Sequence, residues 1–414
     1  MEQKKVNRWL VLLAGFMFNF CLSGTSAFSI FVNPMMEHTG WDQGAITLSY
    51  TIYNIVLCVF GIFIGVISPR LNARVLMYAG STLFVLGWII TGFATEVWMM
   101  QFGFGVVTGM GGGALYNFSV TNTSKWFPDK KGFVSGLLLG GAAIGPVFCA
   151  PVATAVLSEA GVNTAYIIMG AIYAVLMFAV GWLVHVPAPD YKPEGWNPVI
   201  TEARSPVGRD YRWNEMMKTP TFYMLYFLFI FACTPSLMML GTVASIGQDQ
   251  AAMTAALASL AVSLLAISNF LGRLFFGSIS DKIGRYNTLL IALCINLCAV
   301  LLLSQMNTPL PFMVVMCAVG ACGGALLVMF PPITSDCFGV RNSVLNYSIM
   351  FSAYSIAALV GPQLAAYYKR TQGVYTMAFI WAGILMAIAI AILLTIMRMQ
   401  KKSRRLGDKK GVEK

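Results

Sequence analysis

The chain has 414 residues, 58% of them hydrophobic and 10% charged, with a formal net charge of +11 and a mean hydropathy of +0.73. An ordinary soluble domain carries about a quarter charged and about half apolar residues, so a soluble enzyme, a disordered chain and a secreted disulfide scaffold are excluded. The composition is that of an integral membrane protein, and the excess of positive charge belongs to loops that flank the membrane rather than to a nucleic-acid surface.

A helix needs about 20 predominantly apolar residues to cross the hydrocarbon core. Read in chain order, such stretches lie near 9–33, 44–68, 73–93, 97–122, 132–157 and 163–186, then near 221–246, 253–279, 286–305, 310–334, 342–367 and 374–397. The first follows Lys4, Lys5 and Arg8 like the front of a signal peptide, but it is too long for one and lacks a clear small-residue cleavage site, so it is expected to be retained. With a cytoplasmic N-terminus, 24 of the 27 basic residues fall in inner segments, and only Lys369 and Arg370 fall in an outer loop. Both termini are therefore expected in the cytoplasm. The nine cysteines are scattered singly, with no CxxC or Cys/His cluster. They read as small hydrophobes, and no metal or cofactor is expected.

Residues 187–219 break the rhythm with a polar stretch punctuated by Pro187, Pro189, Pro193, Pro198 and Pro206. The expected organisation is a six-helix bundle over 1–186, a cytoplasmic linker over 187–219, a second six-helix bundle over 220–397 and a basic tail over 398–414. The tail, with Lys401, Lys402, Arg404 and Arg405, suits positive-inside anchoring or attraction to anionic lipid. The halves look like copies. Gly65-Val66-Ile67-Ser68 recurs as Gly277-Ser278-Ile279-Ser280, 212 residues on, and Thr123-Ser124-Lys125-Trp126-Phe127 recurs as Thr334-Ser335-Asp336-Cys337-Phe338, 211 residues on. Two six-helix repeats joined by a linker are the plan of a rocking transporter with its site near the midplane between the repeats.

Gly277-Ser278-Ile279-Ser280-Asp281-Lys282-Ile283-Gly284-Arg285 resembles the loop signature of the major facilitator superfamily, G-x-x-x-D-[RK]-x-G-R. The first-half copy is degenerate, with Pro69 in place of the Asp and Asn72 in place of the Gly. Asn122-Thr123-Ser124-Lys125-Trp126-Phe127-Pro128-Asp129-Lys130-Lys131-Gly132 and Asn269-Phe270-Leu271-Gly272-Arg273 are similar to the oxalate/formate antiporter family, bacterial relatives of the monocarboxylate transporters. The resemblance implies an all-α fold of twelve transmembrane helices in two pseudo-symmetric six-helix bundles, in the cell (inner) membrane and functional as a monomer. Physically, Asp281 among Lys282 and Arg285 can accept charge-assisted hydrogen bonds and cap the next helix, which would make it a latch between global states. A solvated turn carrying topology charges is the plainer reading.

Arg273 is the one basic residue deep in a span, between the Leu-rich run 257–271 and Leu274-Phe275-Phe276. An arginine at a bilayer centre costs at least about 2.5–3.5 kcal/mol and almost always faces a cavity. Snorkelling to the interface is the structural rival. A guanidinium offers a planar fork that donates two parallel hydrogen bonds to a carboxylate. Asn269, at i−4, shares its helix face and can hold the fork, bind a substrate oxygen or clasp a neighbouring helix. The resemblance adds Tyr116, after Gly111-Gly112-Gly113, as a site tyrosine, with helix packing as the alternative.

Two departures bear on the substrate. Oxalate-exchanging relatives resemble the chain around Asn346-Tyr347 but carry a lysine seven residues after that tyrosine, where Tyr354 stands here. Their tenth-span aromatics are replaced here by Gly323 and Leu327. A dianion needs two cations in a dry cavity. The expected substrate is therefore a small monocarboxylate, of the lactate, pyruvate or formate type, rather than oxalate. Neutralising Arg273 with a bound anion would favour closure, which alone predicts anion exchange. Proton symport needs an acidic group, and the candidate is Asp249, with a wet loop residue as its plain reading. Symport is placed ahead for lactate-like acids, and protons join the acid as a candidate partner. His38 and His185 lie at helix ends as bystanders.

Gly105, Gly109 and Gly113 in the fourth span, with Gly136, Gly140, Gly141 and Gly145 in the fifth, predict close helix approach. Gly141-xxx-Gly145-Pro146 partly resembles a drug/proton antiporter signature, an alternative that Arg273 disfavours. With no His cluster, metal spacing or paired intramembrane acids, an enzyme is not expected. A receptor that binds without transporting is the last alternative.

Overall fold

The computed structural model describes residues 6–188, 191, 193 and 210–412; Lys4, Lys5 and most of the proline-punctuated linker lie outside the described residues. Every regular element among them is helical. Ten helices are long and apolar enough to cross a membrane. One of these, Lys131–Gly181, is 51 residues long and breaks at Gly161, whose φ of 75° and ψ of 169° lie outside the helical region, so it supplies two spans. A positive φ costs glycine little because it has no Cβ. The fourth span, Val97–Lys125, is built from the short helix Val97–Met100, a π-helical stretch Gln101–Val107 and the helix Thr108–Lys125. Together these give the twelve-helix architecture.

The remaining spans follow the apolar runs. The first comprises Arg8–Leu22, a 3-10 turn Ser23–Ala27 and Phe28–Thr39 with Pro34 inside. The second is Gln43–Ile67, started by Asp42, whose carboxylate accepts from the N–H groups of Gly44 and Ala45. The third is Ala73–Gly92. In the second half they are Pro220–Ala251, Ala255–Ile283, Arg285–Leu303, Pro309–Phe338, Ser343–Gln372 and Thr376–Val412. Proline at the first helical position of Pro220–Ala251, after a Thr219 side-chain cap, fits the missing N–H of that position. The last helix runs through the basic tail instead of stopping near 397.

The chain divides into two compact units. The first holds Met1–Pro128, Leu137–Glu194 and Tyr347–Ile349; the second holds Asp129–Gly136, Gly195–Asn346 and Met350–Lys414. Inside the first, Trp88 is fully buried among aromatics, with ring centroids 5.2 Å from Tyr173, 5.6 Å from Tyr166 and 5.6 Å from Phe104. The predicted glycine stripe faces the second span, with Gly105 against Ile52, Gly109 against Tyr53 and Gly113 against Leu57. Inside the second unit, Met238, Met239, Val243, Leu265, Phe312, Met316 and Phe379 form one apolar cluster. Outward helix faces are apolar and exposed, Phe275 and Val59 each at 61%, as lipid contact requires and water would not tolerate in such number.

Candidate functional site

Arg273 sits in the eighth span, Ala255–Ile283, and is only 8% exposed. Its Nε donates to Asn269 Oδ1 at 2.9 Å, the i−4 pairing that the helix spacing predicts. Asn269 is itself fixed, because its Nδ2 donates to the Gly320 carbonyl of the tenth span at 3.1 Å. That bond makes Asn269 a clasp between helices and an orienting group for the guanidinium at once. The approach of the two helices is close: a Cβ on Gly324 would lie 2.2 Å from the Asn269 carbonyl oxygen and 3.0 Å from Arg273 Cγ. Any side chain at Gly324 would therefore displace the stem that carries the charge.

The other predicted site residues fall as follows. Leu327 is buried, one helical turn beyond Gly324 on the tenth span. Tyr354 belongs to an aromatic group of the second unit, stacked on Phe351 at 5.2 Å and tilted against Phe229 at 6.1 Å. Tyr116 lies in the first unit, 8% exposed. Asp249 lies near the end of the seventh span, exposed rather than in the helix interior. Lys369 Nζ is 2.7 Å from its Oδ2, and the Tyr375 hydroxyl donates to the same oxygen at 3.0 Å. Burial and the adjacent Asp249 carboxylate push the Tyr375 hydroxyl up to about 12, so it remains a donor across the physiological range. Lys369, assigned to an outer loop by the charge pattern, closes the eleventh helix and stacks over the Tyr375 ring at 5.2 Å.

The loop signature is where expectation and structure part. Asp281 does not cap the helix that follows it: Arg285–Leu303 begins at Gly284, φ 87°, with no side-chain cap. Its oxygens instead accept from the backbone N–H of Gly132 at 2.9 Å and of Phe133 at 3.0 Å. These are early N–H groups of the helix Lys131–Gly181, which have no intrahelical acceptor, and a carboxylate there is favoured by both hydrogen bonding and the helix dipole. Arg285 turns the other way, donating to the Pro332 carbonyl at 3.1 Å and pairing with Asp336, which Lys131 Nζ also meets at 3.2 Å. Lys282 is exposed.

Pattern reading missed Lys131 and Asp336 as partners. Asp336 stands in the repeat where the first copy has Lys125, and that charge reversal was the available signal. It also missed Ser236 and Asn296, buried at 6% and 0% exposure and joined by a 3.1 Å bond from Asn296 Nδ2 to Ser236 Oγ. A lone amide amid the apolar run 289–303 of the ninth span was the signal there. Among the described residues, no cluster of His, Cys, Asp and Glu could hold a metal.

Comparison with known proteins places this geometry. The family model described as Major Facilitator Superfamily matches residues 12–303 and 236–414. An uncharacterized MFS-type transporter, YhjX, of Escherichia coli strain K12 is 28% identical over 354 residues, covering 85% of this chain and 86% of that one. The oxalate:formate antiporter of Oxalobacter formigenes is 25% identical over 393 residues, covering 93% and 90%. Monocarboxylate transporter 12 of Homo sapiens is 23% identical over 432 residues, covering 96% and 81%. The Escherichia coli fucose:proton symporter shares the fold, with a TM-score of 0.71 at 13% identity over 96% of this chain and 99% of that one. With a family model matched along nearly its whole length and twelve apolar helices to cross the bilayer, the chain belongs to the Major Facilitator Superfamily and is a multi-pass membrane transporter.

Proposed function

We propose that the protein carries small monocarboxylates across the cell (inner) membrane by alternating access, with both termini in the cytoplasm. The observation that carries this is Arg273: a guanidinium 8% exposed in a membrane span, its plane set through Nε by Asn269. A carboxylate is the natural ligand of such a fork, because two parallel charge-assisted bonds satisfy both groups away from water. One arginine with Tyr354 at the place of the relatives' second cation suits one carboxylate rather than two. Leu327 offers an apolar wall to a short alkyl tail, and Tyr116 of the first unit is proposed as a contact on the resemblance alone. Asp281, Lys282 and Arg285 form the proposed latch, in which the Asp281 grip on Gly132 and Phe133 holds one global state and breaks in the other.

Proton symport is the proposed mode for lactate-like acids, with Asp249 as the acidic group. Anion exchange is the second reading. It is favoured by one observation, that Lys369 and Tyr375 already occupy the Asp249 carboxylate. The test is uptake of labelled L-lactate or pyruvate into liposomes, with Arg273→Ala beside the parent. One batch has an inward proton gradient and an empty lumen, the other no gradient and a lumen preloaded with the same acid. Gradient-driven uptake into empty vesicles supports symport; uptake only into preloaded vesicles supports exchange. Arg273→Ala is expected to lower uptake about 100-fold or more, as loss of a charge-assisted pair worth about 3 kcal/mol would. Uptake unchanged in that variant, or absent from the parent in both batches, refutes the reading.

A further inference from the structure

We propose that Ser236 is a substrate-binding residue that recognises the oxygen on carbon 2 of a 2-hydroxy or 2-oxo acid; this rests on the monocarboxylate reading of the Arg273 site. Buried helical hydroxyls of this unit mostly close on their own helix. Thr234 donates to the Ile230 carbonyl at 2.8 Å, Ser280 to Gly277 at 2.7 Å, Thr288 to Gly284 at 2.9 Å and Thr334 to Phe330 at 2.7 Å. Ser236 does not. Its Oγ accepts from Asn296 Nδ2 at 3.1 Å, and it donates to no acceptor among the described residues. A hydroxyl that is 6% exposed with its proton uncommitted is costly to keep unless something else accepts that proton.

Its neighbours say what that acceptor is. A Cβ on Gly323 would lie 2.9 Å from Ser236 Oγ on one side and 3.5 Å from Asn269 Nδ2 on the other. The hydroxyl and the amide thus flank a single residue of the tenth span, and Arg273 Nε is 2.9 Å from the same amide. Hydroxyl, amide and guanidinium form one array contributed by the seventh and eighth spans. Both amide atoms of Asn269 are engaged, by Arg273 and by the Gly320 carbonyl. Ser236 is therefore the neutral donor left for an oxygen one carbon–carbon bond away from a carboxylate on Arg273. Asn296, fully buried on the ninth span, turns the hydroxyl away from the helix carbonyls and is a positioning residue.

The test compares uptake of L-lactate, pyruvate and propionate, three monocarboxylates of which only propionate lacks the oxygen, into liposomes containing the full-length protein. The parent is expected to prefer L-lactate and pyruvate to propionate about tenfold in half-saturating concentration, the value of one neutral hydrogen bond. Ser236→Ala is expected to bring that ratio to about 2 or less while propionate uptake persists, which shows that the variant is folded. Ser236→Cys, with a weak donor of similar size, is expected to lower the ratio in the same direction, and Asn296→Leu to lower it partly. A parent that does not prefer the oxygenated acids, or a Ser236→Ala variant that keeps the preference, overturns the proposal. Arg273-dependent propionate uptake reports the monocarboxylate reading by itself, so failure of that reading appears as loss of all three acids.

Discussion

Residues 277–285 and residues 65–73 occupy matching places in the two halves, yet they hold their surroundings by different means. In the second copy the fastening is charge. Asp281 binds the N–H groups of Gly132 and Phe133, and Arg285 and Lys131 converge on Asp336. In the first copy each of these has been replaced: Pro69 stands for Asp281, Ala73 for Arg285 and Lys125 for Asp336. What fastens it is the segment after the sixth span. Arg74 Nε donates to the Val184 carbonyl at 3.2 Å and its Nη2 meets the His185 ring, while Asn122 Nδ2 and Trp126 Nε1 each donate to the His185 carbonyl at 2.9 Å. The turns differ to match. Gly284 enters its helix at φ 87°, whereas Asn72 keeps φ at −66° and caps Arg74 N with its own side chain at 2.9 Å. The comparison teaches that duplicated elements can keep a fold while dividing its duties. A carboxylate on the first turn of another helix can let go as a unit, but four donors spread over two backbone carbonyls and one ring cannot.

The second copy also has a fastening with no acid from the first half. Asp210, at the end of the linker, accepts from Arg341 N at 3.1 Å; the Tyr211 carbonyl accepts from Asn342 Nδ2 at 2.9 Å and Asn346 Nδ2 at 3.1 Å, and Tyr211 N donates to the Phe338 carbonyl at 2.9 Å. The linker thus supplies the carboxylate at the turn before Ser343–Gln372.

The largest way to break the contrast is Asp336→Lys, which gives the second copy the charge of the first. It sets a third cation beside Lys131 and Arg285, with the side chains 15–22% exposed. The cost should fall between that of a surface and a buried pair, about 2–4 kcal/mol. It should appear as a lower melting temperature in detergent together with reduced uptake. Asp281→Ala comes next: removing a carboxylate cap costs about 1–2 kcal/mol. The sharper readout is functional. If Asp281 is a latch, accessibility of single cysteines placed at the two ends of the cavity-lining spans should shift toward the other global state, while Pro69→Ala leaves it unchanged. Asp210→Ala, which removes one carboxylate acceptor of Arg341 N, should cost about 1 kcal/mol in melting.

How much of this was legible follows from what each signal measures. Twelve spans can be read because a run of about 20 apolar residues is a local property. Arg273 and Asn269 can be read because a lone intramembrane cation is conspicuous and an i−4 partner is set by helix geometry. The π-helical stretch Gln101–Val107 could not be, since hydropathy says nothing about which carbonyl an N–H chooses. Nor could the partner of Asp281: its charged sequence neighbours Lys282 and Arg285 suggested a local cap, and the groups it binds lie 149 and 148 residues earlier. Ser236 is the same case in the membrane, as its meaning depends on Asn296 and Gly323 from two other helices.

The smallest expected effect sharpens the comparison most. His185 looks like the centre of the first copy's fastening, since Arg74, Asn122 and Trp126 all meet it. Two of those three donors use its backbone carbonyl, however, and Arg74 has a second acceptor in the Val184 carbonyl. His185→Ala removes only the ring's contacts, with Arg74 Nη2 and with the Leu183 carbonyl, and should cost about 0.5–1 kcal/mol, since water can replace both at this partly exposed site. Trp126→Phe, which deletes a donor and leaves the carbonyl its Asn122 bond, should cost about the same. Combined, the two should add within about 0.5 kcal/mol if the fastening is made of independent bonds. A cost for His185→Ala approaching that of Asp281→Ala would mean that the first copy, too, hangs on a single side chain, and the division of duties between the copies would have to be abandoned.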